Sequence, residues 1–314
     1  MGVMRAGALV AAVGAMAALV RGRRPPLPST GVDEVDRAAL ADFVGRHGAP
    51  DLAPVVIVIA AYDEAEGLPR VLRSLPAEVR GLATDVVVVD DGSRDGTAEA
   101  VRGAGGAYVV ACPTNRGQGA ALRLGYRVAR SHGARYIITT DADGQYEPAD
   151  MPALLAPLLD GSADFVSGSR RLGHQADDHL ADDQVRRAGT YVFAWAVSAL
   201  VGQHLTDTSF GLRAMRAELT AAVTLQQPQY QSSELLIGAR MRGFRIVEVP
   251  GTMRVRDAGQ SKKGANLPYA IRYARVVVGT WWREVRLGPS GRRAAAAQGR
   301  AEALLPPALP TAGP

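Results

Sequence analysis

Cysteine is almost absent from this chain. Cys112 stands alone, which excludes an intrachain disulfide and any metal site built from several thiolates. At the end of an apolar run it reads as a small buried side chain. Lysine is nearly as scarce: of 36 basic residues only Lys262 and Lys263 are lysines, side by side between Ser261 and Gly264. Such a pair in an arginine-rich chain marks a place where a compact ammonium is wanted, although chance gives the same pattern. Long apolar runs are missing too. Residues 6–20 are uncharged, but these 15 residues fall short of the roughly 20 that span hydrocarbon. No G-x-G-x-x-G follows the first strand-like run, which argues against a dinucleotide-binding dehydrogenase, and there is no internal repeat.

What is present is a hydrophobic fraction of 47% in 314 residues, enough for a sizeable core in one large domain or two small ones. The net charge of +5 is unevenly placed. Between Arg240 and Arg286, eleven Lys and Arg face three acids, giving +8 and leaving −3 for the rest. A basic C-terminal third suits a polyanionic partner, whether anionic lipid, phosphorylated substrate or nucleic acid; a solvated basic face is the plain alternative. The apolar segment 1–24 has its arginine cluster, Arg21, Arg23 and Arg24, after the run, unlike a secretory signal. It reads as a membrane anchor with the arginines on the cytoplasmic side, or as an alanine-rich extension.

Residues 25–53 read as a linker with a short helical stretch over 34–44, and the compact domain is expected to begin at Pro54. Val55-Val56-Ile57-Val58-Ile59 is a β-branched run, the pattern of a strand buried on both faces. Strands follow over 86–89, 107–111, 136–140 and 164–167, separated by helices over 64–74, 97–103, 117–131 and 149–159. This alternation predicts a mostly parallel α/β sheet, whose ligands bind beyond the carboxyl ends of its strands. After Arg170 the pattern changes to helices over 188–201, 214–225 and 232–241, a strand over 245–249 and an amphipathic helix over 266–285. In that last helix, aromatic residues among arginines suit a membrane interface, a partner protein or plain packing. The Ala/Pro-rich tail 289–314 is expected to be disordered.

The strand ends carry the chemistry. Asp90-Asp91-Gly92-Ser93 closes the second strand and Asp141-Ala142-Asp143-Gly144-Gln145 closes the fourth. Carboxylates converging on one sheet edge are costly without a cation. Their oxygens suit Mg²⁺ or Mn²⁺, ions that usually arrive with substrate phosphates. Tyr62 after the first strand could stack on a base, and Glu64 is a favourable first-turn acid. A carboxylate at Asp90 or Asp91 could accept from a base or ribose. In Asn115-Arg116-Gly117-Gln118-Gly119 the small residues would let a helix N-terminus lie close to a ligand. Singly, each acid fits a helix cap equally well.

Together, residues 56–64, 90–97, 115–121 and 141–145 resemble the motifs of family 2 glycosyltransferases with the GT-A fold. The similarity to the dolichyl/polyprenyl-phosphate mannose and glucose synthase branch continues through Gly168-Ser169-Arg170, Asp207 to Arg213, Glu234, Glu248-Val249-Pro250 and Arg256 to Lys262. The resemblance implies a GT-A domain over 54–263, followed by a basic amphipathic helix over 264–288. It implies a nucleotide-sugar donor, GDP-mannose or UDP-glucose, held with Mg²⁺ or Mn²⁺. By the same resemblance, Asp143 and Gln145 with Asp141 would hold the metal. Ala60, Tyr62, Glu64, Asp90, Asp91 and Gly119 would line the donor site. Arg170, Arg186 and Thr190 would meet an acceptor phosphate, and Arg256, Ser261 and Lys262 would close over the donor diphosphate. Three positions depart from the family pattern: Asp63 replaces the usual Asn, Gln118 a frequent Lys, and Gly144 a common Leu.

Charge then sets the expected mechanism. Transfer passes through an oxocarbenium-like state as a nucleoside diphosphate leaves, and the metal, Arg256 and Lys262 would stabilise the leaving charge. A lipid-phosphate acceptor is already anionic, with a second pKa near ~6, and needs no strong general base. None of the five histidines sits in a motif, which agrees. A hydroxyl acceptor would need Asp207 or Glu234 as base, residues that could equally hold the acceptor-side helices. The expectation is an inverting transfer to polyprenyl phosphate at the cytoplasmic membrane face, without nucleic acid. Attachment would come from the N-terminal segment, the basic helix or a membrane-protein partner. The alternatives are a sugar hydroxyl acceptor and a non-catalytic nucleotide-sugar-binding scaffold.

Overall fold

The computed structural model describes residues 33–173, 184–254 and 267–303. Strands β1 (Val55–Ala61), β3 (Leu82–Asp90), β4 (Tyr108–Ala111) and β5 (Tyr136–Asp141) run parallel in the order β4-β3-β1-β5, with a two-residue β2 (Glu78–Val79) antiparallel to the start of β3. The sheet continues from β5 through β7 (Arg213–Arg216) to β6 (Phe165–Ser169) and β8 (Ile246–Pro250). Strand β7 runs antiparallel to both its neighbours. The central strand β1 is apolar throughout because both its faces are covered. One face packs on α2 (Leu68–Ser74), α3 (Thr97–Ala104) and α5 (Met151–Leu159). The other packs on α1 (Glu34–His47), α4 (Gln118–Ser131), α6 (Gln184–Val201), α7 (Ala217–Ala222), α8 (Gln231–Met241) and α9 (Leu267–Ala303).

Register positions the site. Ala61 pairs with Asp90, Ala60 with Asp141, and Asp90 with Ala111, so four parallel strands end level. Strands β3 and β5 both flank β1, which sets their ends about 10 Å apart at ~4.8 Å per strand.

Three expectations are corrected. Residues 214–225 do not form one helix: 213–216 fill the gap between β5 and β6 as a strand, and only 217–222 are helical. The segment 25–53 is not all linker, since α1 buries Ala39 and Phe43 in the core and stacks Phe43 and His47 against Tyr108. Nor is the tail disordered over 289–303. The last helix kinks at Gly288 (φ 65°), restarts with Pro289 in its first turn, and continues to Ala303. There Gly299 lies so close to α7 that a Cβ would sit 2.4 Å from the Ala222 Cα, and this contact holds the segment.

Candidate active site

The donor edge is built from carboxylates that accept backbone hydrogen bonds. Asp90 takes the Ser93 N–H at 2.9 Å and so shapes its own turn. Asp91, 2% exposed, takes Arg116 N–H at 3.1 Å and Gly117 N–H at 2.6 Å. Burial pushes the Asp91 carboxyl above its ordinary pKa, and these two amides oppose that shift without cancelling it. Gly92 is required here: at φ 74° a Cβ would meet the Asn115 nitrogen at 2.6 Å.

The loop after β1 is stitched to the same turn. Asp63, Glu64 and Ala65 N–H groups donate to Ser93 Oγ, Thr97 Oγ1 and Asp95 Oδ2 at 2.9–3.0 Å. Asp63 adopts φ 51°, a conformation Asp and Asn both tolerate, and its Oδ1 accepts Arg94 N–H at 2.9 Å. An Asn would offer the same oxygen, so this departure from the family pattern preserves the local geometry. Ala60, Tyr62 and Glu64 are partly exposed along this rim.

Asp141 and Asp143 are also partly exposed, at the end of β5. Gln118 donates its amide to Asp141 Oδ1 at 3.0 Å, so a neutral side chain approaches the acid where the family often has a cation. Gln145 N–H donates to Asp143 Oδ1 at 3.2 Å, and the Gln145 side-chain amide reaches the Arg254 carbonyl at 3.4 Å. Among the described residues no group of three or more His, Cys, Asp or Glu side chains forms a closed metal cage. Two accessible carboxylates and an amide fit Mg²⁺ or Mn²⁺, which fill their remaining positions with water and phosphate oxygens.

The 207–213 motif joins this edge from the acceptor side. Gly211 N–H donates to Tyr146 Oη at 2.8 Å, and its carbonyl accepts from Thr139 Oγ1 at 2.8 Å. A Cβ on Gly211 would meet Tyr146 Oη at 2.8 Å and Asp141 Oδ2 at 3.1 Å, so glycine lets the motif close against the acid. Burial, with nearby Asp141, drives the Tyr146 hydroxyl well above its ordinary pKa and keeps it neutral. Arg213, 2% exposed, donates to the carbonyls of Phe210, Ser232 and Thr208. A cavity of about 510 Å³ opens beside Thr140, Gly144 and Tyr146 towards Arg70, Glu147 and Arg254, away from the glycine loop.

On the acceptor side, the buried carboxylate Asp207 pairs with an arginine instead. Arg170 grips Asp207 with Nε at 2.7 Å and Nη2 at 2.9 Å, and Nη2 also reaches Ser209 Oγ at 2.7 Å. Burial raises the Asp207 pKa, but the Arg170 hydrogen bonds and charge outweigh it and hold the carboxyl below its ordinary value. Glu248 accepts the N–H groups of Thr206 and Asp207 at 2.7 and 2.9 Å. Thr190 accepts from Arg171 at 3.1 Å, and the Arg171 guanidinium stacks 3.5 Å from the Tyr191 ring centre. Sequence reasoning passed over Arg171; its adjacency to Arg170 was the available signal.

Glu234 is not placed as a proton acceptor. It is fully buried, takes Gln226 and Gln227 N–H at 2.8 and 2.9 Å on one oxygen, and takes Arg283 on the other at 2.8 Å. It holds a loop. Gly119 donates to the Pro228 carbonyl of that loop at 2.8 Å. Arg186 lies on α6 with its side chain outside the described residues, as are Arg256, Ser261 and Lys262. The chain entering that last segment is tied to the acidic loop, since Arg254 N–H donates to the Gln145 carbonyl at 2.7 Å and Arg254 pairs with Glu147. Cys112 is buried, with a thiol pushed up to about 11 by burial. His47 and His132 pack against Phe43, away from the site, and His204 is exposed.

A mostly parallel sheet of this topology, with acids at level strand ends, is the architecture of the GT-A fold. Solved structures agree: glucosyl-3-phosphoglycerate synthase from Mycobacterium tuberculosis, in complex with uridine diphosphate, superposes with a TM-score of 0.55 at 22% identity, covering 82% of this chain and 85% of that one. That likeness establishes the GT-A fold. The sequence profile of Glycosyl transferase family 2 matches residues 56–221, and the chain belongs to that family; it is a glycosyltransferase. It is 32% identical over 223 residues to undecaprenyl-phosphate mannosyltransferase of Micrococcus luteus, covering 68% of this chain and 88% of the relative. It is 34% identical over 209 residues to dolichyl-phosphate hexose transferase of Haloferax volcanii, covering 66% and 86%.

Proposed function

We propose that this enzyme transfers a hexose from a nucleotide sugar, GDP-mannose or UDP-glucose, to a polyprenyl phosphate, with inversion, at the cytoplasmic face of the membrane. The observation that carries this reading is the level row of strand ends that presents Asp141 and Asp143 beside the glycine loop. The names of the relatives, an undecaprenyl-phosphate and a dolichyl-phosphate sugar transferase, support the acceptor class.

Asp141, Asp143 and Gln145 would hold Mg²⁺ or Mn²⁺, which when bound neutralises the diphosphate and favours its departure. The solved glucosyl-3-phosphoglycerate synthase was crystallised with either ion and uridine diphosphate, which fits this assignment. Ala60, Tyr62, Glu64, Asp90, Asp91 and Gly119 form the donor side: Asp91 shapes the glycine loop, and Tyr62 supplies a face for the base. Arg256 and Lys262 are assigned to the leaving charge. Arg170 is held rigid by Asp207, which leaves Nη1, 3.8 Å from the Met253 sulfur, as the nitrogen assigned to an acceptor phosphate. Thr190 with Arg171, and Arg186, complete that side. A phosphate nucleophile needs positioning more than deprotonation. Asp207 is locked in an ion pair and Glu234 is enclosed, so neither is a ready base, and this favours phosphate over a sugar hydroxyl.

No helix among the described residues is long and apolar enough to cross a membrane. On α6, Tyr191, Val192 and Trp195 are 53%, 61% and 52% exposed, and on α9 Trp282 is 48% exposed beside Arg286. Aromatic and aliphatic groups next to arginines suit the headgroup level of a bilayer. This surface, close to Arg171, would bring the lipid acceptor to the site. Incubating the purified protein with Mg²⁺, polyprenyl phosphate and a panel of nucleotide sugars, followed by mass spectrometry, tests the proposal. A polyprenyl-phosphate hexose with inverted anomeric configuration is expected. Transfer only to a free or polymeric sugar would refute the acceptor assignment, and unchanged velocity in EDTA would refute the metal.

A further inference from the structure

The glycine loop 115–119 is braced from two sides by helices that lie outside the family-matched residues 56–221. From one side, Arg116 Nη1 meets Asp33 at 2.6 Å and Nη2 meets Asp36 at 2.7 Å. Asp33 is the N-cap of α1, accepting Asp36 N–H at 2.8 Å, so both carboxylates sit at one rigid helix end. The Arg116 backbone is pinned independently by Asp91. From the other side, Arg283 of α9 holds Glu234, Glu234 holds the amides of Gln226 and Gln227, and the next carbonyl, Pro228, receives Gly119 N–H. Cβ atoms on Gly117 or Gly119 would strike Pro228 O or Gln227 O at 2.6 and 2.0 Å, so the two backbones are in direct contact. Between these braces sits Gln118, whose amide meets Asp141.

A loop with glycines at two of five positions has little stiffness of its own. A ligand-lining loop keeps a preorganised shape only if something else fixes it. We propose that the two flanking helices set donor affinity: Asp33 and Asp36 act through Arg116, and Arg283 acts through Glu234, as positioning residues that hold the glycine loop for the nucleoside diphosphate. This rests on the donor-site reading above. None of these side chains need touch the donor. Their effect falls on binding, and chemistry at the sugar is left nearly intact.

The test is calorimetric titration of the full-length protein with GDP and with UDP, each with MgCl₂, alongside steady-state kinetics and thermal melts. Asp36→Asn and Arg283→Gln should each weaken nucleotide binding about tenfold, in line with loss of one charge-assisted hydrogen bond to a buried partner. KM for the nucleotide sugar should rise in step, with kcat changed less than about threefold. The double variant Asp36→Asn/Arg116→Gln should bind no more weakly than Arg116→Gln alone, and Arg116→Lys should recover part of the loss. If Asp36→Asn does not fold, Asp33→Asn, at the more exposed of the two carboxylates, takes its place. Unchanged nucleotide affinity in these variants, however far their melting temperatures fall, would overturn the inference, as would a fall in kcat with affinity intact. A wild-type protein that binds neither nucleotide would instead sink the donor-site reading itself.

Discussion

The donor edge and the acceptor side hold their acids by different means. At the donor edge, Asp63, Asp90, Asp91 and Asp95 accept backbone N–H groups from neighbouring loops. On the acceptor side Asp207 pairs with Arg170, and in the helical frame Glu234 and Glu284 pair with Arg283 and Arg242. Backbone-held acids shape loops and leave room for a ligand's own charge. Arginine-held acids lock distant elements together, as Glu284 of α9 locks Arg242 beyond α8 with both side chains almost wholly buried. The first arrangement suits a site open to a charged ligand, as the proposed metal–diphosphate would be, and the second suits a frame.

The sharpest break in this contrast is at Asp143. Asp143→Ala should cut product formation by about 10³-fold or more, with little change in thermal stability, since the side chain is half-exposed and accepts the amide of Gln145 only two residues away. Retained turnover would mean the donor edge is as structural as the acceptor side. The next largest effect belongs to the frame. Glu284→Ala leaves Arg242 buried and unpaired and should cost about 3–5 kcal/mol in urea unfolding, whereas Arg242→Met with Glu284→Leu should recover most of it.

Acid stability sharpens the comparison further, because the two regions carry opposite signs. The Asp207 carboxyl lies below its unfolded value of about 3.9, so its contribution is complete above that pH and is lost as pH falls through the lower folded value. The Asp91 carboxyl lies above the unfolded value, so its contribution is complete below the unfolded pKa and is lost as pH rises through the folded one. Urea midpoints from pH 3 to 7 should therefore lose acid sensitivity in Asp207→Asn. Asp91→Asn should remove a contribution of the other sign. The same sign in both would show that the amides and the arginines do equivalent work. The smallest effect is expected on α6. Trp195→Ala with Val192→Ala should weaken binding to anionic vesicles several-fold while stability moves within about 0.5 kcal/mol, as for surface positions.

The strand-end acids were legible because a continuous β-branched run that stops at carboxylates is the pattern of a buried strand reaching a polar sheet edge. Strands β1, β3 and β5 lie where that pattern puts them. Gly92 and Gly211 also fit their motifs, each at a place where a side chain would collide. The roles of Glu234 and Arg171 were not legible. Glu234 becomes a brace only because Arg283, 49 residues away in sequence, arrives beside it. Arg171 matters only because α6 lays Tyr191 under its guanidinium.

Periodicity and composition alone determined a parallel sheet with its acids at one edge and a basic C-terminal third, since hydrophobic pattern and charge are properties of the chain before it folds. Tertiary structure decided the rest. Arg213-Ala-Met-Arg216 has helix-favouring residues yet becomes a strand, because the opening between β5 and β6 offers it backbone partners on both sides. The Ala-rich stretch after Gly288 is helical because α7 gives its small residues a surface to pack on. Whether Asp91 or Asp207 faces amides or a guanidinium depends on loops and helices far apart in sequence, and only their meeting in space settles it.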